Sequence, residues 1–181
     1  MKITRVWSMP NRWTFTIPPI TDLIKRYVKS GKGWIDPFAG MNSPAEFTND
    51  LNPEMNAKQH LKAYDFCNNL TKRYNGILFD PPYSSRQVKE CYENIGFKMT
   101  YGDTLNGMFH KEKNIISQKI KISGIAISFG WNSVGFGKQR GFEIIEILLV
   151  CHGGHHNDTI VTVEQKISDP GSEIIKIDFR S

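Results

Sequence analysis

The order of the apolar runs restricts what this chain can fold into more than any other feature. Short runs at 33–36 and 76–79 each end in an Asp-Pro turn, and a continuous apolar run spans Gly124 to Phe129. Amphipathic stretches stand between them. Two further runs, Phe142 to Val150 and Thr159 to Gln165, follow with only a turn-rich loop between them. A run that is apolar throughout is expected where helices cover a sheet on both faces. Alternating strands and helices pair in parallel through crossovers, whereas two consecutive strands turn back on each other. The predicted architecture is therefore α/β, a mostly parallel sheet with one antiparallel strand near the edge.

The helices are read from spacing. Ile20, Leu23, Ile24, Tyr27 and Val28 recur at helical intervals, so 20–29 is predicted as an amphipathic helix, stopped by Ser30-Gly31-Lys32-Gly33. Phe47-Thr48-Asn49 reads as a short second strand ending at Asp50. Pro53 then suits the first turn of a helix running to about Leu61. Val88, Cys91, Tyr92 and Ile95 form the stripe of another helix, with Gly96 as its stop, and 107–120 reads as one more. Only Met41 to Glu46 separate the first two strands, too few for a full crossover helix. A truncated connection is expected there.

Length and composition set outer bounds. At 181 residues one domain, 1–181, is expected. Apolar residues make up 39% and charged residues 23%, ordinary for a globular protein. The longest apolar stretch is far too short to span a bilayer. Met1 to Arg5 lead into polar sequence rather than a leader core, and the three cysteines form no CxxC pair. A reducing cytoplasm is the expected location. The net charge of +5 allows a polyanionic partner without requiring one.

The chemistry concentrates at Asp80-Pro81-Pro82-Tyr83, placed at the carboxyl end of a strand, where open α/β sheets bind ligands. Proline lacks an N–H and has a fixed φ, so the carbonyls of this turn point outward and stay there. An exocyclic amine can donate one hydrogen bond to the Asp80 carboxylate and another to such a carbonyl, while Tyr83 stacks on the base. Those bonds aim the amine lone pair at an electrophile. A plain exposed Pro-Pro turn remains the alternative. A second element lies upstream: Asp36-Pro37-Phe38-Ala39-Gly40-Met41-Asn42, a small-residue loop closing the first buried strand.

Together the two elements resemble the amino-methyltransferases that use S-adenosylmethionine. Met9 to Phe15, Thr48 to Pro53, Phe129 to Ser133 and His156 to Ile160 are similar to small adenine-specific DNA methyltransferases of phages and prophages. The resemblance runs from about Ser8 to Glu164. It implies a class I, Rossmann-like methyltransferase fold with a seven-stranded type of sheet, and transfer of a methyl group to adenine N6 in DNA. By the same resemblance Phe15, Asp36, Pro37, Phe38, Ala39, Gly40, Asn42, Asp50, Leu51, Asp65 and Phe66 are the cofactor-binding candidates, with Asp50 on the ribose and Asp65-Phe66 near the adenine. Asp50 serves equally well as a cap for a helix starting at Pro53, and Phe38 and Phe66 as plain core. The sequence departs from the family in two places. Asn42 stands at the second loop glycine, although Asn tolerates left-handed backbone. Lys62 stands where relatives often carry an acid.

No stretch is long enough for a separate target-recognition domain, so loops or a dimer partner would have to read the substrate. Candidates for that contact are Ser84, Arg86, Lys138, Arg140, His155 and Asn157. Lys138 and Arg140 lie in a segment expected to travel to the opposite end of the sheet. The His-x-x-His-His pattern at 152–156 fits no familiar zinc spacing, so no metal is expected. Alternatives to DNA adenine methylation are an RNA methyltransferase acting on adenine N6 or guanine N2, methylation of cytosine N4, and a nucleic-acid-binding relative without turnover. A monomer and a homodimer fit equally.

Overall fold

The computed structural model describes residues 1–82, 109–154 and 156–171. Tyr83, Ser84, Arg86, His155, the predicted helix at Val88 to Gly96 and the start of the one at 107–120 lie outside the described residues. One seven-stranded sheet organises the rest. Its strands are β1 (Lys2–Trp7), β2 (Trp34–Asp36), β3 (Phe47–Thr48), β4 (Tyr74–Phe79), β5 (Ile120–Gly130), β6 (Phe142–Cys151) and β7 (Thr159–Lys166), in the order β1-β6-β7-β5-β4-β2-β3. Every neighbouring pair is parallel except those of β7, which runs antiparallel to both β5 and β6. The antiparallel strand is third from one edge, because β1 adds outside β6.

Three described helices cover the sheet. Helix α1 (Pro18–Val28) starts on two prolines, which suit a first turn whose N–H groups have no partner. It buries Ile20, Leu23, Ile24 and Val28 on one face, against Leu78, Ile127, Phe129, Leu148, Val150, Val161 and Val163. Each such side chain contributes about 1.5–3 kcal/mol on leaving water. The same helix is tied to β6 at Glu146, whose carboxylate accepts two bonds from the Arg26 guanidinium, at 2.8 and 3.1 Å, and one from the Tyr27 hydroxyl at 2.8 Å. Those contacts hold the Glu146 carboxyl down at about 2.

Helices α2 (Ala63–Asn68) and α3 (His110–Lys119) lie on the other face, where Ile35, Ile77, Phe79 and Ala126 meet Phe66, Cys67, Leu70, Ile116, Phe136 and Phe142. Burial raises the Cys67 thiol to about 12, which leaves it inert at neutral pH.

One predicted element is absent from the structure, and one observed element was not predicted. The helix expected from Pro53 to about Leu61 is absent, and the only helix near it is α2, which starts at Ala63. Side chains take the N–H groups that helix would have used: Asp50 Oδ1 accepts from Asn52 at 2.9 Å, Asn52 Oδ1 from Glu54 at 2.9 Å, and Thr48 Oγ1 from Lys58 at 3.0 Å. Local Asx-type bonds of this kind compete with helix. Strand β1 was not predicted. Its Ile3, Arg5 and Trp7 are exposed while Thr4 and Val6 are only half-buried, so it carries no apolar run to be read. The truncated connection between the first two predicted strands, β2 and β3, is as expected, with no helix between them.

Candidate active site

The site is built from the carboxyl ends of β2, β3 and β4, which lie side by side and in parallel. Register sets Ile35 beside both Ile77 and Phe47, and Asp36 beside Thr48. The Asp36–Gly40 loop, Asp50 and the Asp80-Pro81-Pro82 turn therefore emerge together. Asp80, Pro81 and Pro82 are all half-buried.

Asp36 is completely buried. Its Oδ1 accepts the Phe38 N–H at 3.0 Å and its Oδ2 lies 2.6 Å from the Ser43 hydroxyl. Burial pushes its carboxyl up to about 8, against those two donors, and the negative charges of Asp80 and Asp50 push the same way. Three carboxylates thus share one small region.

The loop after Asp36 is held by Asn49, the residue that follows β3. The Asn49 N–H donates to the Asp36 carbonyl at 2.8 Å, and the Ala39 N–H to the Asn49 carbonyl at 2.9 Å. The buried Asn49 side chain donates to the carbonyls of Pro37 and Leu61, at 3.2 and 3.0 Å, and accepts the Leu61 N–H at 2.9 Å. Asn49 is thus an organiser of the site that the sequence reading missed. Its signal was an amide directly between the end of a short strand and an acid.

Asp50 bridges two loops, accepting the Gly40 N–H at 2.9 Å with one oxygen and the Asn52 N–H with the other. It caps no helix at Pro53, since none forms. Gly40 takes the left-handed conformation (φ 54°) and the Trp13 ring packs over it. Asn42 is exposed and is not among the left-handed residues, so its tolerance for that geometry is not used.

Aromatic contacts join the loop to the turn. The Phe38 ring meets Phe79 edge-on, with centroids 5.4 Å apart and planes at 86°, and meets Phe109 at 4.8 Å. Phe79 is the residue before Asp80, so the position of the loop and the position of the turn are mechanically linked.

The remaining predicted residues divide. Phe15 is buried at the end of β5, packed at 5.1 Å on Phe129. Leu51 is half-buried beside Asp50. Asp65 is exposed in the first turn of α2, while Phe66 next to it is core. Asn157 is exposed in the loop after β6, on the same strand-end face as Asp80. Lys138 and Arg140 precede β6 and stand at the opposite end of the sheet. Arg140 is engaged there by Asn114 Oδ1 and the Phe136 carbonyl, both at 2.8 Å. The structure does not bring these two residues to the carboxylates.

His152 is buried, with its ring nitrogens 2.9 Å from the Ser8 carbonyl and 3.0 Å from the Thr159 hydroxyl. Among the described residues no cluster of three or more His, Cys, Asp or Glu could hold a metal ion, and no helix is long and apolar enough to cross a membrane.

No family model matches the chain, and no curated protein matches it. Solved structures do match by shape. One is yhhF from Escherichia coli, named a candidate methyltransferase, with a TM-score of 0.58 at 10% identity, covering 89% of this chain and 91% of that one. Another is TrmN from Thermus thermophilus, with a TM-score of 0.54 at 14% identity, covering 86% of this chain and 50% of that one. A third, named a candidate rRNA methylase, comes from Clostridium thermocellum, with a TM-score of 0.50 at 10% identity, covering 89% and 99%. Identities this low speak to shape alone. With the strand order and the antiparallel β7, they show that this chain has the Rossmann-like α/β fold of the class I methyltransferases.

Proposed function

We propose that the protein is an S-adenosylmethionine-dependent methyltransferase that modifies the N6 amine of adenine in DNA. The observation that carries this reading is the juxtaposition of two loops at adjacent strand ends. The Asp80-Pro81-Pro82 turn stands next to the Asp36–Gly40 loop, and the two are coupled through Phe38 and Phe79 at 5.4 Å.

The residues present fit the methyl donor. Both Asp50 oxygens already accept a backbone N–H, and each keeps a lone pair that two vicinal ribose hydroxyls can use. The left-handed Gly40 turns the loop so that its N–H reaches Asp50, which fixes the loop beside the ribose-binding candidate. When bound, the donor supplies an electrophilic methyl group on a sulfonium. The protein then has to hold and orient the amine. Asp80 accepts one amine hydrogen, a carbonyl of the proline turn accepts the other, and the lone pair is left facing the methyl carbon. As the nitrogen takes the methyl group the methyl–sulfur bond would break and the donor would leave as a neutral thioether; the Asp80 carboxylate would stabilise the cationic nitrogen until its extra proton passes to solvent. Positioning of this kind is worth up to about 7–11 kcal/mol. A base in duplex DNA must first leave the stack, at a cost of a few kcal/mol.

RNA is the second reading, favoured by the likeness to a structure named as a candidate rRNA methylase. The same two loops would act on adenine N6 or guanine N2. Transfer of tritiated methyl to duplex DNA, single-stranded DNA and RNA, followed by nucleoside analysis, separates the two. The DNA reading expects label in N6-methyladenine of DNA. Asp80→Ala should lose this transfer while keeping its affinity for the donor. Protein that binds the donor yet labels no nucleic acid refutes the proposal.

A further inference from the structure

Three charged side chains from three elements close on the backbone of one short segment, 135–137. Glu164 in β7 is completely buried, and its two oxygens accept the Phe136 N–H at 2.6 Å and the Gly137 N–H at 2.8 Å. Lys113 in α3 donates to the Gly135 carbonyl at 2.7 Å. Arg140 reaches back from the far end of the sheet and donates to the Phe136 carbonyl at 2.8 Å. Gly135 leaves room for this clamp, since a Cβ there would lie 2.2 Å from Glu164 Oε2. Burying a carboxylate is costly unless it is paired and hydrogen-bonded. Burial pushes the Glu164 carboxyl up, and the two N–H donors with the cations of Lys113 and Arg140 oppose that rise.

What the clamp fixes is a ring. Phe136 is buried and packs on Phe79 at 5.4 Å with planes at 71°. The Lys113 ammonium lies over both rings, 5.3 Å from the Phe79 centroid and 5.7 Å from that of Phe136. Phe79 also meets Phe38 of the Asp36–Gly40 loop. The ring that precedes Asp80 is therefore wedged between the cofactor-binding candidate loop and the clamped segment. Interiors are close-packed, so such a ring does not shift without its neighbours.

We infer that Glu164, Lys113 and Arg140 are positioning residues, which hold Phe136 against Phe79 and so set where the Asp80 turn stands relative to the Asp36–Gly40 loop. The inference rests on the methyl-transfer reading above and deepens it, giving work to charged groups that the proposed chemistry does not use. A misplacement of about 1 Å, even from a change far from the reacting atoms, can cost about a hundredfold in rate.

The test uses the full chain with saturating donor and whichever nucleic acid accepts the methyl group. Glu164→Gln keeps the side chain's shape and removes one of its two acceptors. It should lower the single-turnover rate of methyl transfer at least about tenfold, with affinity for donor and nucleic acid changed by less than about twofold. Lys113→Met should act in the same direction, and Lys113→Arg, which can still donate to the Gly135 carbonyl, should restore most of the rate. Phe136→Leu should also slow transfer, and adding Glu164→Gln to it should slow transfer by less than about twofold more, because both act through one ring. A clamp that merely stabilised the fold would lower the unfolding midpoint and leave the rate of the folded protein alone. Backbone amide resonances read the same link without activity. In Glu164→Gln those of Phe38, Phe79 and Asp80 should move, while those of α1 stay in place. A transfer rate within about twofold in folded Glu164→Gln, or unmoved Phe79 and Asp80 resonances, overturns the inference. Where Glu164→Gln does not fold, the two Lys113 variants decide by the same readings. If the unsubstituted protein labels no nucleic acid, the wider reading fails, and the resonances still decide this one.

Discussion

Asp36→Asn separates the shape of the buried acid from its charge. The asparagine oxygen can still accept the Phe38 N–H, and its amide can donate to the Ser43 hydroxyl, so the two contacts at 3.0 and 2.6 Å have counterparts. Only titration is removed. In the folded chain burial holds the Asp36 carboxyl at about 8, whereas an unfolded aspartate ionises near 3.9. Between those values the unfolded chain has lost a proton that the folded chain retains. Stability therefore falls as pH rises through that window, by about 1.4 kcal/mol per unit from this group. Asparagine lacks this slope. From pH 5 to pH 7 the stability of Asp36→Asn relative to the unsubstituted protein should increase by about 3 kcal/mol. Urea unfolding at pH 5, 6 and 7 measures the difference directly. A difference that stays constant within about 0.5 kcal/mol would mean that the Ser43 and Phe38 donors hold Asp36 ionised, and the burial argument would fail.

Two further substitutions probe the scaffold. Glu146→Gln should cost about 2 kcal/mol at pH 7, since it weakens charge-assisted bonds from Arg26 and Tyr27. The Glu146 carboxyl is depressed to about 2, so this stabilisation is complete above the ordinary carboxylate range and is lost as pH falls toward 2. Denaturation of the two proteins should converge at low pH, and equal stability at pH 7 would refute the role given to Glu146. Gly135→Ala should destabilise by at least about 2 kcal/mol, because φ is +55° and the new methyl would meet the Glu164 carboxylate. Unfolding midpoints test this, and a change under about 0.5 kcal/mol would show that the clamp yields easily.

Much of the fold was legible because its signals are local. The helix predicted at 20–29 is α1 at Pro18–Val28, and the runs ending at Phe79, Phe129, Val150 and Gln165 are strands. Where one residue type had two uses, the reading failed. Pro53 announces a helix start equally well in a turn, and the turn formed because Asp50, Asn52 and Thr48 claimed the backbone N–H groups. Asn49 was overlooked because its three side-chain bonds go to Pro37 and Leu61, each twelve positions away.

Sequence alone determined the kind of sheet and the two strand-end turns with their acids and prolines, because periodicity and turn chemistry depend on neighbours a few positions apart. Tertiary structure decided which acids share a site and which cations do not. Asp36, Asp50 and Asp80 converge because parallel strands bring their carboxyl ends to one face. Lys138 and Arg140 are carried to the far end because the chain must return there before β6 can run parallel to β5. The clamp of Glu164 on Phe136 and Gly137 joins positions 27 and 28 residues apart. Such a contact depends on the path of the whole sheet, which no local pattern contains.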